Sequence, residues 1–269
     1  MLPELPAQAT MDAMGEFISQ PPTSLLRVAF FGGSFDPPHL GHLAVARAAQ
    51  AALGLDSVLF APVGVQPLKP QGSTAGFQDR LAMTRLAIAD QPGFSVSVAD
   101  SPRSSGAPNY TLETLLSLRA ELPAQRALFC LMGAVSFAGL RRWHRSAEIP
   151  FVAPLIVASR PGESLSDLEG SLPEGLTLAG QSLGPSISQV ESVEKEQIEL
   201  HRYILRNSSG ELAPLYLLPG LEIEISASEI REQVRSREQA RPEAGDRLQR
   251  RELLPSPVSA YISAHGLYL

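Results

Sequence analysis

The sequence predicts an α/β chain: a doubly wound parallel sheet with a small helical C-terminal part. Two observations carry this. Short apolar runs at Leu25 to Phe31, Ser57 to Ala61, Ala127 to Met132 and Phe151 to Ser159 are too continuous for one wet face, as strands buried on both sides of a sheet require. Between them apolar residues recur at helical spacing, so strands and helices alternate along the chain. A length of 269 residues suits one such domain, with or without a small appendage.

Residues 1–24 carry Pro3, Pro6, Pro21 and Pro22 and lack the basic start and apolar centre of a secretory signal. They are expected to be a mobile tail, with the domain running over 25–269. The first strand ends in Gly32-Gly33-Ser34-Phe35-Asp36-Pro37-Pro38-His39-Leu40-Gly41-His42. Glycine tolerates positive φ and carries no Cβ, so the backbone there can turn sharply and a phosphate can approach its N–H groups. Leu43, Val45, Ala46, Ala49 and Leu53 then follow helical spacing. Strand, loop and helix in this order place a helix N-terminus, which favours anions, beside the loop.

His39 and His42 are three residues apart, so a helix beginning near Pro38 puts both imidazoles on one face of its first turn. There they can donate to phosphate oxygens and, when protonated, stabilise charge built up during transfer. A helix-capping histidine or a metal pair are the alternatives. With one cysteine and no nearby carboxylate cluster, further ligands for a metal are not evident.

This stretch resembles the G-G-[ST]-F-D-P-x-H-x-G-H signature of the nucleotidylyltransferase superfamily, and is most similar to that of the bacterial nicotinate-mononucleotide adenylyltransferases. The resemblance implies ATP binding by Gly32, Gly33, Ser34 and Phe35 and catalysis by His39 and His42. It implies transfer of AMP to a mononucleotide, with Mg2+ carried by the ATP phosphates. Another phosphorylated acceptor, CTP in place of ATP, or a weakened nucleotide-binding protein on the same fold are the rival expectations.

Ser57 to Ala61 closes a βαβ unit at Pro62. The loop to Gly76 contains Gln66-Pro67-Leu68-Lys69-Pro70, where relatives read P-P-H-K. Lys69 resembles their phosphate ligand, while Leu68 stands at the histidine position. Asp79 to Ala89 reads as an amphipathic helix and Phe94 to Ala99 as a half-buried strand. Asn109-Tyr110-Thr111 is similar to the family's S-Y-T at a helix start, which implies that Tyr110 and Thr111 face the acceptor; Thr111 is a natural cap.

The strand Ala127 to Met132 ends at Gly133, another expected ATP contact. Relatives read G-x-D there for the ribose, and Val135 occupies the aspartate position. Trp143, the only tryptophan, stands among Arg141, Arg142, His144 and Arg145 at the spacing of the family's pyridine-stacking indole. Arg160, in Arg160-Pro161-Gly162, resembles a further acceptor contact.

Residues 163 to 214 are uninformative, apart from a candidate helix over Val190 to Arg206 with Val190, Val193, Gln197, Leu200 and Ile204 on one face. Ile225-Ser226-Ala227-Ser228-Glu229-Ile230-Arg231 resembles the family's second signature, I-S-[SA]-[ST]-x-I-R. Ile225, Ser226 and Ser228 are thereby expected at the ATP, with Ser226 or Ser228 capping a helix and Arg231 forking two phosphate oxygens. Ser236 to Arg251 is expected to be charged and mobile, and Val258 to Leu269 to close the chain as a helix; the helical C-terminal part thus covers about 226–269.

The fold expected is Rossmann-like, with ligands at the carboxyl ends of the strands. A net charge of −6 argues against a broad nucleic-acid surface. No stretch approaches the roughly 20 apolar residues of a membrane span. Cys130 reads as a buried thiol of a cytoplasmic protein. A homo-oligomer is compatible with all of this.

Overall fold

The computed structural model describes residues 26–69, 71–123, 125–159, 168–179, 199–220, 225–239 and 253–269. The expected tail, Arg160 and the first part of the expected helix, 190–198, lie outside the described residues. The elements in order are β1 (Leu26–Gly33), α1 (Leu40–Leu53), β2 (Ser57–Pro62), α2 (Phe77–Ile88), β3 (Phe94–Val96), α3 (Thr111–Glu121), β4 (Arg126–Gly133) and α4 (Ala134–Ala138). After two single 3₁₀ turns come α5 (Ile149–Val152), β5 (Leu155–Ala158), α6 (Leu168–Ser171), β6 (Thr177–Leu178), β7 (His201–Arg206), β8 (Leu212–Leu218), α7 (Ala227–Gln239) and α8 (Ser256–Ala264).

The strands form one sheet in the order β3-β2-β1-β4-β5-β8-β7-β6. Neighbours from β3 to β8 run parallel, whereas β7 and β6 are antiparallel additions at one edge. The sheet is therefore mixed rather than wholly parallel. Side chains of β1 alternate between two cores, as a strand buried on both faces demands. Ala29 and Phe31 join Leu43 of α1, Met83 of α2 and Val258 and Ile262 of α8. Phe30 joins Leu112 and Leu115 of α3, Phe137 of α4 and Ile149 of α5 on the other side. Helices thus cover both faces, and Cys130 is sealed in the second core, where burial pushes its thiol up to about 12.

Several elements differ from their sequence expectations, each for a local reason. The expected strand Phe151 to Ser159 begins only at Leu155, because Pro150 opens the short helix α5 and Pro154 then holds Ala153 extended at φ −146° and ψ 110°. Residues 201–206 are a strand, not a helix: they pair with β8 along their whole length, from His201 opposite Leu217 to Arg206 opposite Leu212. The half-buried strand at 94 stops at Val96. Part of the stretch expected to be mobile is helical, since α7 runs to Gln239. At the C-terminus α8 ends at Ala264, and Gly266 and Tyr268, at φ 59° and 69°, turn the chain back.

Chain order reverses between β1 and β4: the chain leaves β1 toward β2 and β3, then crosses back to β4 and β5. Phe31 pairs with Leu131 across these strands, and Gly33 and Gly133 each lie two residues farther on. This is the switch point at which doubly wound sheets bind their ligands.

Candidate active site at the carboxyl ends of β1 and β4

The glycines that end β1 do not make the turn. Both lie within the strand, and their need is steric: a Cβ on Gly32 would come within 2.7 Å of the Phe30 ring, and one on Gly33 within 3.2 Å of the Phe35 ring. The turn falls on Phe35, at φ 46°, a left-handed conformation that a bulky residue rarely adopts. Its ring pays for that conformation by packing edge-on to Phe31 at 5.6 Å and to His42 at 4.9 Å. The side chain of Phe35 is thus a core plug, so only its backbone can serve a phosphate.

His39 is the N-cap of α1 and His42 its third residue, so both do lie on the first turn. Their rings are 3.7 Å apart and tilted by 30°. His39 is 3% exposed, and its backbone N–H donates to His42 Nδ1 at 3.2 Å. That bond gives His42 the role glutamate or glutamine takes in a capping box. It also decides the tautomer: a neutral ring accepting at Nδ1 carries its proton on Nε2. Capping and phosphate donation are therefore compatible, one nitrogen for each.

The other expected phosphate ligands converge on this loop from distant segments. Lys69 donates from Nζ to Ser34 Oγ at 2.9 Å, and Ser34 Oγ donates to Gln66 Oε1 at 2.8 Å. Burial lowers the Lys69 ammonium below its ordinary range; Asp36 raises it, and Arg231 and Arg80 lower it further. Arg231, on the first turns of α7, donates to the Asp36 carbonyl at 2.7 Å and to Ser228 Oγ at 3.1 Å. Ser226 Oγ accepts the Glu229 N–H at 3.1 Å and so caps that helix. Ile225 is buried, leaving its backbone as the part that can touch a nucleotide.

The acceptor candidates are less tightly joined. Tyr110, not Thr111, is the N-cap of α3 and makes no side-chain cap bond; Thr111 is the first residue of the helix. The neighbouring Asn109 is buried; it accepts the Val65 N–H at 2.9 Å and donates to the Ser101 carbonyl at 2.9 Å. The Tyr110 ring lies 4.5 Å from that of His144. Trp143 is half-buried, with one side against the second core. Val135 is 67% exposed just after Gly133, at the carboxyl end of β4.

The family model described as cytidylyltransferase-like matches residues 30–233. The chain belongs to this family. The "probable nicotinate-nucleotide adenylyltransferase" of Trichlorobacter lovleyi is 32% identical over 243 residues, covering 90% of this chain and 99% of its own length. The protein of the same name from Stenotrophomonas maltophilia is 36% identical over 244 residues, covering 89% and 95%. In structure the chain is similar to "Plasmodium falciparum nicotinic acid mononucleotide adenylyltransferase complexed with NaAD", with a TM-score of 0.60 over 90% of this chain and 97% of that one. At 13% identity that likeness establishes the fold.

Three residues of this cytidylyltransferase-like chain bind the site together without having stood out in the sequence. The Asp36 carboxylate is 5% exposed and accepts from the Thr74 N–H at 2.6 Å, the Ala75 N–H at 3.0 Å and the Tyr268 hydroxyl at 2.8 Å. Arg80, only 2% exposed, donates to the carbonyls of Ser34 at 2.6 Å, Val63 at 2.8 Å and Ala75 at 3.2 Å. It thereby ties the β1 loop, the end of β2 and the start of α2 into one frame. Tyr268 comes from the C-terminal turn. A signal for Arg80 was present, since it stands four residues before Thr84 and seven before Ala87, on the buried face of α2.

Among the described residues no group of three or more His, Cys, Asp or Glu side chains could hold a metal ion, and Asp36 is already engaged by three donors. No helix of the described residues is long and apolar enough to cross a membrane. What the loop does offer is cationic. Lys69 and Arg80 feel the charge of the one carboxylate, Asp36, and Arg231 adds a further cation that acts on Lys69, so a polyphosphate would supply the counter-charge this cluster lacks.

Proposed function

We propose that the protein transfers AMP from ATP to the 5′-phosphate of nicotinate mononucleotide, giving deamido-NAD and pyrophosphate. The observation that carries this reading is the meeting of His39, His42, Lys69 and Arg231 on one glycine-bounded loop at the switch point of the sheet.

An oxygen of the mononucleotide phosphate attacks the α-phosphorus of ATP, and the bond from that phosphorus to the oxygen bridging toward the β-phosphate breaks. The electron pair leaves with pyrophosphate. The nucleophile is already an anion, so no strong general base is required, and catalysis rests on position and charge. Nε2–H of His42 donates toward the α-phosphate, with His39 stacked beside it. Arg231 and Lys69 take the β- and γ-phosphates, and backbone N–H groups at Ser34 and Phe35 complete the cradle. Gly32, Gly33 and Gly133 contribute backbone to the nucleotide site, and the Ser226-capped end of α7, with Ser228, lies beside the triphosphate. Mg2+ carried by the ATP phosphates would neutralise part of their charge.

The acceptor lies toward Tyr110, Thr111 and Trp143. The exposed side of Trp143 is available to a pyridine ring, and Arg142 and His144 beside it favour an acid over an amide, Arg145 being paired with Glu148 and Arg141 with the Gly170 carbonyl. A carboxylate paired with such donors gains about 1.5–3 kcal/mol. The expected kcat/KM for nicotinate mononucleotide is therefore roughly 10- to 100-fold above that for its amide. Equal values for the two acceptors would reject the acid-selective reading. Trp143→Ala should raise KM for the acceptor and leave that for ATP nearly unchanged. Soluble substrates and the free thiol of Cys130 fit a cytoplasmic setting.

Val135 bears on the other substrate. Without a carboxylate at this exposed position, a ribose hydroxyl loses a charge-assisted hydrogen bond of about 1.5–3 kcal/mol. Val135→Asp is expected to lower the dissociation constant of Mg-ATP by roughly 10- to 100-fold in calorimetry, leaving acceptor affinity alone. Unchanged or weaker ATP binding in the folded variant would mean that other groups hold the ribose.

A further inference from the structure

The last turn of the chain reaches back to the phosphate loop. Tyr268 is 5% exposed, sits at φ 69°, and aims its hydroxyl at Asp36 Oδ1, 232 residues earlier in the sequence. Among the described residues only Phe35, Arg145 and Tyr268 are non-glycine residues at positive φ; Phe35 immediately precedes Asp36, and Tyr268 contacts it. A non-glycine residue adopts that conformation only where its surroundings hold it there. Here the surroundings are a ring packed into the first core and a phenol bonded to a buried carboxylate.

Asp36 is also the residue through which the loop meets its partners. Its other carboxylate contacts are the Thr74 and Ala75 N–H groups, which end the segment carrying Lys69, and its carbonyl accepts Arg231. Lys69 and Arg80, from the β2–α2 side, feel the charge of this carboxylate. The two backbone N–H groups hold one oxygen each, and the phenol adds a second donor at Oδ1. It thereby ties Asp36, whose carbonyl holds Arg231, to the C-terminal turn.

We propose that Tyr268 is a positioning residue for phosphoryl transfer, a C-terminal latch that fixes Asp36 and, through it, Arg231 and the Thr74–Ala75 turn. Any tyrosine in a core contributes to stability; this one sets the geometry of a cation in the reaction. This inference rests on the adenylyl-transfer reading for its kinetic consequences, but not for its structural one.

The test compares the full-length protein with Tyr268→Phe, Arg231→Ala, the double variant, and Tyr261→Phe as a control. Tyr261 is a tyrosine of the same C-terminal part whose hydroxyl bonds a different carboxylate, Asp79, at 3.0 Å. Tyr268→Phe is expected to lower kcat at saturating substrates about tenfold, the loss typical of one charge-assisted hydrogen bond, with little change in acceptor KM. The double variant should turn over like Arg231→Ala alone, because the latch works through that arginine. Tyr261→Phe should retain wild-type kcat. Amide hydrogen exchange at Thr74 and Ala75 should accelerate in Tyr268→Phe and not in Tyr261→Phe, a readout that needs no turnover. Wild-type kcat in Tyr268→Phe, independent losses that multiply in the double variant, an equal loss in Tyr261→Phe, or unchanged exchange at Thr74 and Ala75 would each overturn the latch. Accelerated exchange in Tyr268→Phe, with no adenylyl transfer by the wild type, would instead sustain the latch and reject the proposed reaction.

Discussion

His42→Ala is expected to lower kcat by about 10²- to 10³-fold, the usual cost of losing a donor aimed at charge that develops in the transition state. The ring has two duties, because Nδ1 accepts the His39 N–H and closes the first turn of α1. Alanine removes both, so a stability loss of about 0.5–2 kcal/mol accompanies the kinetic one. His42→Gln separates them. Glutamine at this position satisfies the capping arrangement but places no imidazole at the α-phosphate, so thermal stability should return and turnover should not. Steady-state kinetics beside thermal melts read both effects; turnover near wild type in the folded His42→Gln protein would remove His42 from the mechanism.

The largest effect on stability is expected at Arg80. Arg80→Met preserves volume and removes the guanidinium that serves the carbonyls of Ser34, Val63 and Ala75. Each buried acceptor left without a donor costs about 1–3 kcal/mol, so the sum is at least ~3 kcal/mol. For a chain of this size Tm should fall on the order of 6–12 °C. Arg80→Lys should not restore it, since an ammonium lacks the planar fork that spans three acceptors. The burial that makes the arginine indispensable also depresses its proton affinity, against the opposing pull of Asp36 and Tyr268. A Tm within about 2 °C of wild type in Arg80→Met would show that these carbonyls are satisfied otherwise.

The glycine- and histidine-bearing loop and the parallel strands were legible in the sequence because their signals are local. Unbroken apolar runs mark strands buried on both faces, and the two histidines carry their spacing with them. Glycine was legible as a requirement but not in its reason: the turn falls on Phe35, and the glycines make room for the rings of Phe30 and Phe35. Asp36 was visible inside the motif, yet its partners lie 38, 39 and 232 residues away, beyond any periodicity. Arg80 shares the face of Thr84 and Ala87 by spacing, but the three carbonyls it serves come from segments 5, 17 and 46 residues away, which spacing does not reveal. β7 was misread for a related reason. Tyr203 and Ile204 suit a strand, but what makes them one is their pairing with β8, whose run is interrupted by Pro214.

The destination of the α-phosphorus tests the central claim most directly. With ATP labelled at that phosphorus and nicotinate mononucleotide as acceptor, the label is expected in a dinucleotide, with one pyrophosphate released per dinucleotide formed. Label remaining in ADP, or appearance of the γ-phosphate on the acceptor, would contradict transfer at the α-phosphorus and with it the roles given to His42, Lys69 and Arg231.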